Sequence, residues 1–533
     1  MSIEQKKLEV IPAKHNDRKG HHYYTRKTSR RRSIVVMTLA VIMLTMSWTR
    51  QKNERHPWWT TLLRSPLWFC LLLALLIRIW LIYHTHGVID GDEAMVGIQA
   101  EHILRGEHPI YFYGQAYMGS LEAYLMAILF ALAGPSTWML RAEPTLLSLL
   151  VVYLTWRLAG ALAQTAQLSS SATRIFQTIA ALFAAVPPLY DTVLELRTLG
   201  GYIETFVLML LLLLSVLQLT RRWHAGVSSK ELALRWVGIG FIVGLGFWVN
   251  PLLVSVVLAT AIWIVVFCIA EVVQRIRQAK TGIPHTFLRQ CILVVVALPA
   301  SMIGAAPALY WGFHNHWGNI TYVQQLGDLN LLDAAIRNHY HNHLELIQAQ
   351  IALYQSTIAP HVISGSLPAE SATLATIHIF TLTVGLICLA MSLLSVVLSL
   401  FWHHPVFVRI RQLTALPLFF AICTAFTFCT STITSSGLIS QQHDLAGRYA
   451  TPLMLALPFF LAAVFTLLFE KGYRVGAGVE RMWGRGPCGR PLVGEWFLSW
   501  LKKSIRRDVH PVHVRFTRCP GCLLAGCAER GVR

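Results

Sequence analysis

Apolar stretches near the length of a bilayer-crossing helix, about 18 residues or more, dominate this chain. They recur near residues 66–83, 141–163, 175–190, 201–219, 236–250, 252–272, 290–310, 374–402, 412–431 and 449–469, those at 175–190 and 236–250 being short. Backbone in hydrocarbon must satisfy its own N–H and C=O groups, and long continuous apolar runs do so as helices. The sequence therefore predicts an all-α, polytopic membrane protein of about ten transmembrane helices. Composition agrees, with 55% of the 533 residues hydrophobic and 13% charged, roughly half the charged share of a soluble domain. Two further runs, 34–48 and 120–133, are too short to cross a core of about 30 Å and read as interfacial or re-entrant.

The net charge of +19 sits at the ends. Residues 1–33 hold ten Lys/Arg against three acids and residues 470–533 thirteen against five, so the tails supply +15 of it. Such flanks face anionic lipid, whereas a nucleic-acid partner would need a folded basic face, and none is predicted. With the N-terminus inside, Arg174, Arg221, Arg222, Lys230, Arg235, Arg275, Arg277, Lys280, Arg289, Arg409 and Arg411 all fall in inner loops, as the positive-inside rule requires. The outer face keeps Arg105, Arg141, Arg197, Arg337 and Arg448, together with fifteen of the eighteen carboxylates between the tails. Polar chemistry is thus expected outside. The chain divides into a basic cytoplasmic tail (1–33), an interfacial segment and linker (34–65), a transmembrane region (66–470) with outer loops at about 84–140 and 311–370, and a second basic tail (471–533).

The first outer loop opens with "IDGDEAMVGIQAEHILRGEHPIYFYGQAYMGSLEAY". Asp90 and Glu93 fit a D-x-x-E capping box starting a short helix that ends near Gly106. Asp92 and Glu93 also suit a helix first turn, where acids complement the dipole. Against these structural readings stands a functional one, because ionisable groups at a bilayer interface mark sites. The following stretch alternates Tyr111, Tyr113, Tyr117 and Tyr124 with small residues, a surface suited to gripping a polar ligand beside lipid. Tyr113, Gln115 and Tyr117 are the substrate-binding candidates there.

The Asp-Glu pair after the first span, the juxtamembrane helix, the "GEHPIYFYGQAYMGSLEAY" stretch, "LRAEPTLL" opening the next span and a late "DLAGRYATPLMLALP" together resemble the GT-C membrane glycosyltransferases. The likeness runs over residues 60–470 and is nearest the bacterial branch described as dolichyl-phosphate-mannose protein mannosyltransferase-like or aminoarabinose transferase-like. It implies a polyprenyl-phosphate sugar donor, a glycan, lipid or protein acceptor, an extracytoplasmic active site in a bacterial plasma membrane, and a catalytic aspartate in the first outer loop. By motif position that residue is Asp92, with Glu93 beside it.

The chemistry is consistent. A carboxylate can take the proton of an acceptor hydroxyl attacking the anomeric carbon. Arginine can neutralise the departing phosphate bidentately; the candidates are Arg448 in "AGRYATP", Arg141 in "MLRAEP" and Arg197 in "LELRTLGGYIETF", with snorkelling to headgroups as the competing reading. Tyr449 beside Arg448 and Glu204, a few residues into its span, complete the substrate-binding set, Glu204 being expected to pair with an outer arginine or to bind sugar hydroxyls. Glu122 reads as a surface acid and Asn250-Pro251 as a sharp turn.

No cofactor is required by this chemistry, and a divalent metal is left open. "NHYHNHLEL" places His339, His341, His343 and Glu345 at alternating spacing, which reads either as a metal site on extended backbone or as the start of an amphipathic lid helix. Asn319-Ile320-Thr321 is a glycosylation sequon. The tail cysteines Cys519, Cys522 and Cys527 lack the second pair of a zinc site. A transporter or flippase of lipid-linked sugars is the alternative function; it predicts related halves with helices broken at mid-membrane, and no internal repeat is evident.

Overall fold

The computed structural model describes residues 65–277, 293–327, 336, 340–365, 372–402, 404–435, 438 and 443–468. The two tails, the 34–48 run, Arg337, His339 and the tail cysteines lie outside them. Helix α1 (Pro66–His84) leads to α2 (Gly91–Leu104), a hairpin of β1 (Tyr111–Phe112) and β2 (Gln115–Gly119), and the short α3 (Leu121–Ala133). There follow α4 (Thr137–Thr165), α5 (Ser170–Ala185), α6 (Leu189–Leu194), α7 (Tyr202–His224), α8 (Ser229–Val249) and α9 (Val254–Arg277). Then come α10 (Ala297–Gly304), α11 (Ala306–His314), α12 (Gly318–Gly327), α13 (His343–Leu353) and α14 (Ala359–Ser364). The long α15 (Ala372–Phe401) and α16 (Pro405–Thr430) precede α17 (His443–Ala450), which runs into a last span, Gly447–Leu468.

Eight helices among the described residues are long and apolar enough to cross a bilayer: the molecule is an all-α polytopic membrane protein. The expected count of ten differs at two places. At 175–190 the helix is 16 residues long, α5 giving way at Val186 to Pro187-Pro188. At 290–310 the described part is two helices, because Pro307 has no N–H for a bond to the preceding turn and instead sits in the first turn of α11.

Helix ends are set locally. Ser65, Ser136, Ser169 and Ser228 each cap a helix N-terminus by accepting a backbone N–H at their side-chain oxygen. The tight links 166–169 and 225–228 turn α4 back into α5 and α7 back into α8. Burial orders the bundle: 83% of the apolar window of α7 is buried, against 22% in α1 and 28% in α15, so α7 is central and the other two present apolar faces to lipid.

Where lipid offers no hydrophobic gain for pairing helices, close approach supplies it through van der Waals contact. Helices α8 and α10 do this with glycine. A Cβ on Gly240 would run into the Ala297 carbonyl, on Gly244 into that of Ser301, and on Gly304 into that of Phe241.

The hairpin was not expected from the sequence. Tyr111 pairs with Gly119 and Phe112 with Gln115, closing around Tyr113-Gly114, where Gly114 has φ +78°. Aromatic residues on either side of a turn glycine are its signal.

Candidate active site at the loop end of the bundle

Helix α2, the hairpin, α3 and the starts of α4, α7 and the last span gather at one end. Asp90 caps α2: its carboxylate accepts the Glu93 N–H at 2.9 Å, while its own N–H donates to Glu93 at 3.1 Å. The capping box read from the sequence is therefore present, and Asp90 also carries an ion pair with Arg197. Glu93 is 2% exposed and takes Arg141 on both oxygens, from Nε and from a terminal nitrogen, each at 3.2 Å. Arg141 further donates to the Val88 carbonyl at 2.7 Å. Burial pushes the Glu93 carboxyl upward and Arg141 opposes it. Glu93, Arg141, Asp90 and Arg197 thus satisfy one another and pin α2 to α4 and to the α6–α7 link.

Asp92 is left facing outward. Its side chain is 49% exposed, and its one ionic neighbour among the described residues is Arg448 at 3.8 Å. The Arg448 guanidinium lies 5.3 Å from the Tyr449 ring centre, and its Nε is buried without a hydrogen-bond partner among the described residues. The phenols of Tyr202, Tyr449 and Tyr117 lie near it. Tyr117 stacks on Tyr322 at 5.7 Å. On the far side Gly447 leaves room for the Tyr190 hydroxyl, which a Cβ would meet at 2.7 Å, and Tyr190 packs edge-on to His361 at 4.3 Å. Asp92, Tyr117 and the Arg448-Tyr449 pair, distant from one another in sequence, come together among tyrosines. The arrangement offers a cation with an unused N–H and a carboxylate 3.8 Å from it.

The other candidates lie elsewhere. Tyr113 is held by His102 at 2.9 Å and Glu107 at 3.0 Å, and Gln115 begins β2. Among the described residues Glu204 meets no arginine, and it is not exposed: its carboxylate is buried with those of Glu122 and Glu143, one oxygen from each lying within 4.8 Å of the others. Glu122 is no surface acid either. It is 1% exposed and accepts N–H groups from Leu199, Gly200 and Gly201 at 3.1, 2.6 and 2.9 Å, the glycines adopting φ of +74° and +84°. These three backbone donors turn the α6–α7 link into a cradle for one carboxylate.

Three ionised carboxylates cannot share an apolar interior; protonation of the acids or a hard cation with oxygen ligands resolves it. This is the one group of three such ligands among the described residues, and Asp92 is not part of it. Around "NHYHNHLEL", His341 and His343 are exposed and Glu345 is committed to capping α13 with Asn342.

Several contributors were missed in the sequence. Arg78, alone among the apolar residues of α1, is fully buried in an ion pair with Glu195 and bonds to the Ala185 carbonyl at 3.0 Å; a charge within a span was its signal. Glu143 stood in the quoted "LRAEP" and Tyr202 in "GGYIETF". Tyr190, Tyr322 and His361 carried no signal beyond aromatic character.

No protein-family profile and no curated protein matches this chain. Solved structures of similar shape are the apo oligosaccharyltransferase of Archaeoglobus fulgidus, at 14% identity and a TM-score of 0.42 over 82% of this chain and 54% of that one, and AglB from the same organism with an inhibitory peptide and a dolichol-phosphate, at 13% and 0.45 over 83% and 54%. ArnT of Cupriavidus metallidurans in the apo state follows at 10% and 0.34, over 74% of this chain and 77% of that one. The chain spans about half the length of the archaeal enzymes.

Proposed function

We propose that the protein is an inverting glycosyltransferase of the GT-C type that moves a sugar from a polyprenyl-phosphate donor to an acceptor hydroxyl at the loop end, on the extracytoplasmic side. The observation that carries the reading is Arg448, with a buried, unpartnered Nε, 3.8 Å from the half-exposed carboxylate of Asp92. The order of sequence motifs resembling that superfamily, and the basic inner loops that orient the chain, support it.

In this reading Arg448 holds the donor phosphate, flanked by Tyr449 and Tyr117. Asp92 accepts the proton of the acceptor hydroxyl as its oxygen bonds to the anomeric carbon. The bond from that carbon to the phosphate oxygen breaks with its electron pair, and the charge left on the polyprenyl phosphate is stabilised by Arg448. A direct displacement of this kind inverts the anomeric centre. Glu93 and Arg141 position α2 and do not touch substrate.

The test is transfer of radiolabelled sugar from a panel of polyprenyl-phosphate sugars in proteoliposomes, comparing the native chain with Asp92→Asn and Arg448→Gln. Donor-dependent transfer is expected, falling by about 100-fold or more in Asp92→Asn. Unaltered turnover in that variant would remove Asp92 from the chemistry. Passage of intact lipid-linked sugar across the bilayer without consumption would make the protein a flippase.

A further inference from the structure

At the end of the bundle opposite Asp92 and Arg448, a cavity of about 550 Å³ opens between the ends of α4 and α7 and the start of α8. Tyr202 and Arg221 lie 19 residues apart on α7, about 28 Å at 1.5 Å per residue, so the two sites sit at opposite ends of that helix. The cavity is lined by four arginines, Arg157, Arg221, Arg222 and Arg235, with Gln164, Gln177 and Gln218 among them.

These side chains are held in place. Arg221 donates to Gln164 at 2.8 Å, Arg235 to Gln218 at 3.1 Å and to Glu231 at 3.0 Å, and Arg157 to the Tyr153 hydroxyl at 2.6 Å. Glu231, 3.0 Å from Arg235 and 3.6 Å from Arg222, is the one carboxylate paired with the four guanidiniums among the described residues. Each guanidinium has five N–H donors, of which these bonds engage at most two, and the Arg235 Nε is buried without a partner. The cavity therefore presents excess positive charge and fixed, underused donors.

A second feature points to what fills it. Leu146, Leu150, Tyr153, Arg157 and Gln164 recur on α4 at the i, i+4, i+7, i+11 and i+18 positions, one face of a helix. Leu146 and Leu150 are 56% and 36% exposed, so an apolar track runs along α4 and ends at Arg157 in the cavity wall.

We propose that this cavity binds the phosphate of an anionic lipid, its headgroup against Arg157, Arg221 and Arg235 and an acyl chain along Leu146 and Leu150. A phosphate anion is the shared chemistry, since paired guanidiniums match its geometry bidentately. Basic pockets between membrane helices take such headgroups.

Native mass spectrometry of the full chain, released from dodecyl maltoside micelles carrying equimolar phosphatidylglycerol and phosphatidylcholine, reads the site directly. One phosphatidylglycerol per chain is expected to be retained in preference. The double variant Arg157→Gln with Arg221→Gln is expected to lower that preference about tenfold or more. The corresponding double lysine variant keeps most of it, and Arg105→Gln, on the exposed surface at the other end, leaves it unchanged. Melting temperature in the same micelles verifies that each variant is folded. Equal retention of both lipids, or an unchanged preference in the folded double glutamine variant, would overturn the proposal. Displacement of the lipid by millimolar inorganic phosphate would overturn the lipid source and assign the cavity to a soluble phosphate. Because the readout is binding, these outcomes stand apart from any result on sugar transfer.

Discussion

Glu93 and Arg141 give a sharp test of which carboxylate in the Asp-Glu pair does chemistry. Two hydrogen bonds of 3.2 Å join them, and their side chains are 2% and 8% exposed. Replacing Glu93 by Gln keeps the shape and one acceptor oxygen but removes the charge, leaving a buried guanidinium with no anion and only an amide oxygen and the Val88 carbonyl to accept from it. Removing one partner of a buried pair costs about 3 kcal/mol or more, roughly a hundredfold in the folding equilibrium. Arg141→Met should cost less, because the stranded Glu93 can take up a proton, as its upward shift through burial already favours. The double variant, with no charge left to bury, should then be more stable than the sum of the single losses by about 2 kcal/mol. Urea unfolding in detergent micelles followed by near-ultraviolet circular dichroism measures all three. Sugar transfer is assayed at a temperature where each variant is folded, and Glu93→Gln is expected to retain it. A Glu93→Gln protein as stable as the parent but without transfer would refute the positioning role and place Glu93 in the reaction.

Gly244→Leu should destabilise the bundle severely, since a Cβ there meets the Ser301 backbone, whereas Gly238→Leu, with open space at its Cβ, should leave the melting temperature within a degree or two. Equal effects would dissolve the argument for close α8–α10 contact. Glu122→Ala strands three buried N–H groups and is expected to cost about 3 kcal/mol; hydrogen exchange at Leu199, Gly200 and Gly201 should quicken with it, and unchanged protection there would contradict the cradle. Asp191 is fully buried with neither oxygen bonded, and burial, then the charge of Glu195, holds its pKa well above the carboxylate range. The folded state therefore binds the extra proton, and stability is full below the ordinary aspartate pKa and declines as pH rises through the folded value. Asp191→Asn should flatten that decline in melting temperature at pH values above the ordinary aspartate pKa, and parallel profiles for variant and parent would count against it.

Local chemistry was legible wherever neighbours in sequence are neighbours in space. The Asp90–Glu93 capping box involves residues three apart, and the Asn250-Pro251 turn is likewise set by adjacent residues, with Asn250 accepting the Leu252 N–H at 2.9 Å. Glu204 and Glu122 were misjudged for the opposite reason. Their partners lie on other helices, so nothing near either residue in the chain shows that it faces an acid or a nest of backbone donors. The break at Pro307 was written in the sequence but hidden by the continuity of the apolar run around it.

By itself, then, the sequence determined that this chain is a helical membrane protein and which of its loops carry acid, arginine and tyrosine, because hydropathy and helix capping act over a few residues. Only the tertiary structure decided which carboxylate is buried in an ion pair and which stays half-exposed. Glu93 turns inward to Arg141 while Asp92, one residue earlier and about 100° around the helix, faces Arg448 more than three hundred positions away. That choice depends on where α4 and the last span are packed, and packing distant segments against one another is what no local pattern encodes.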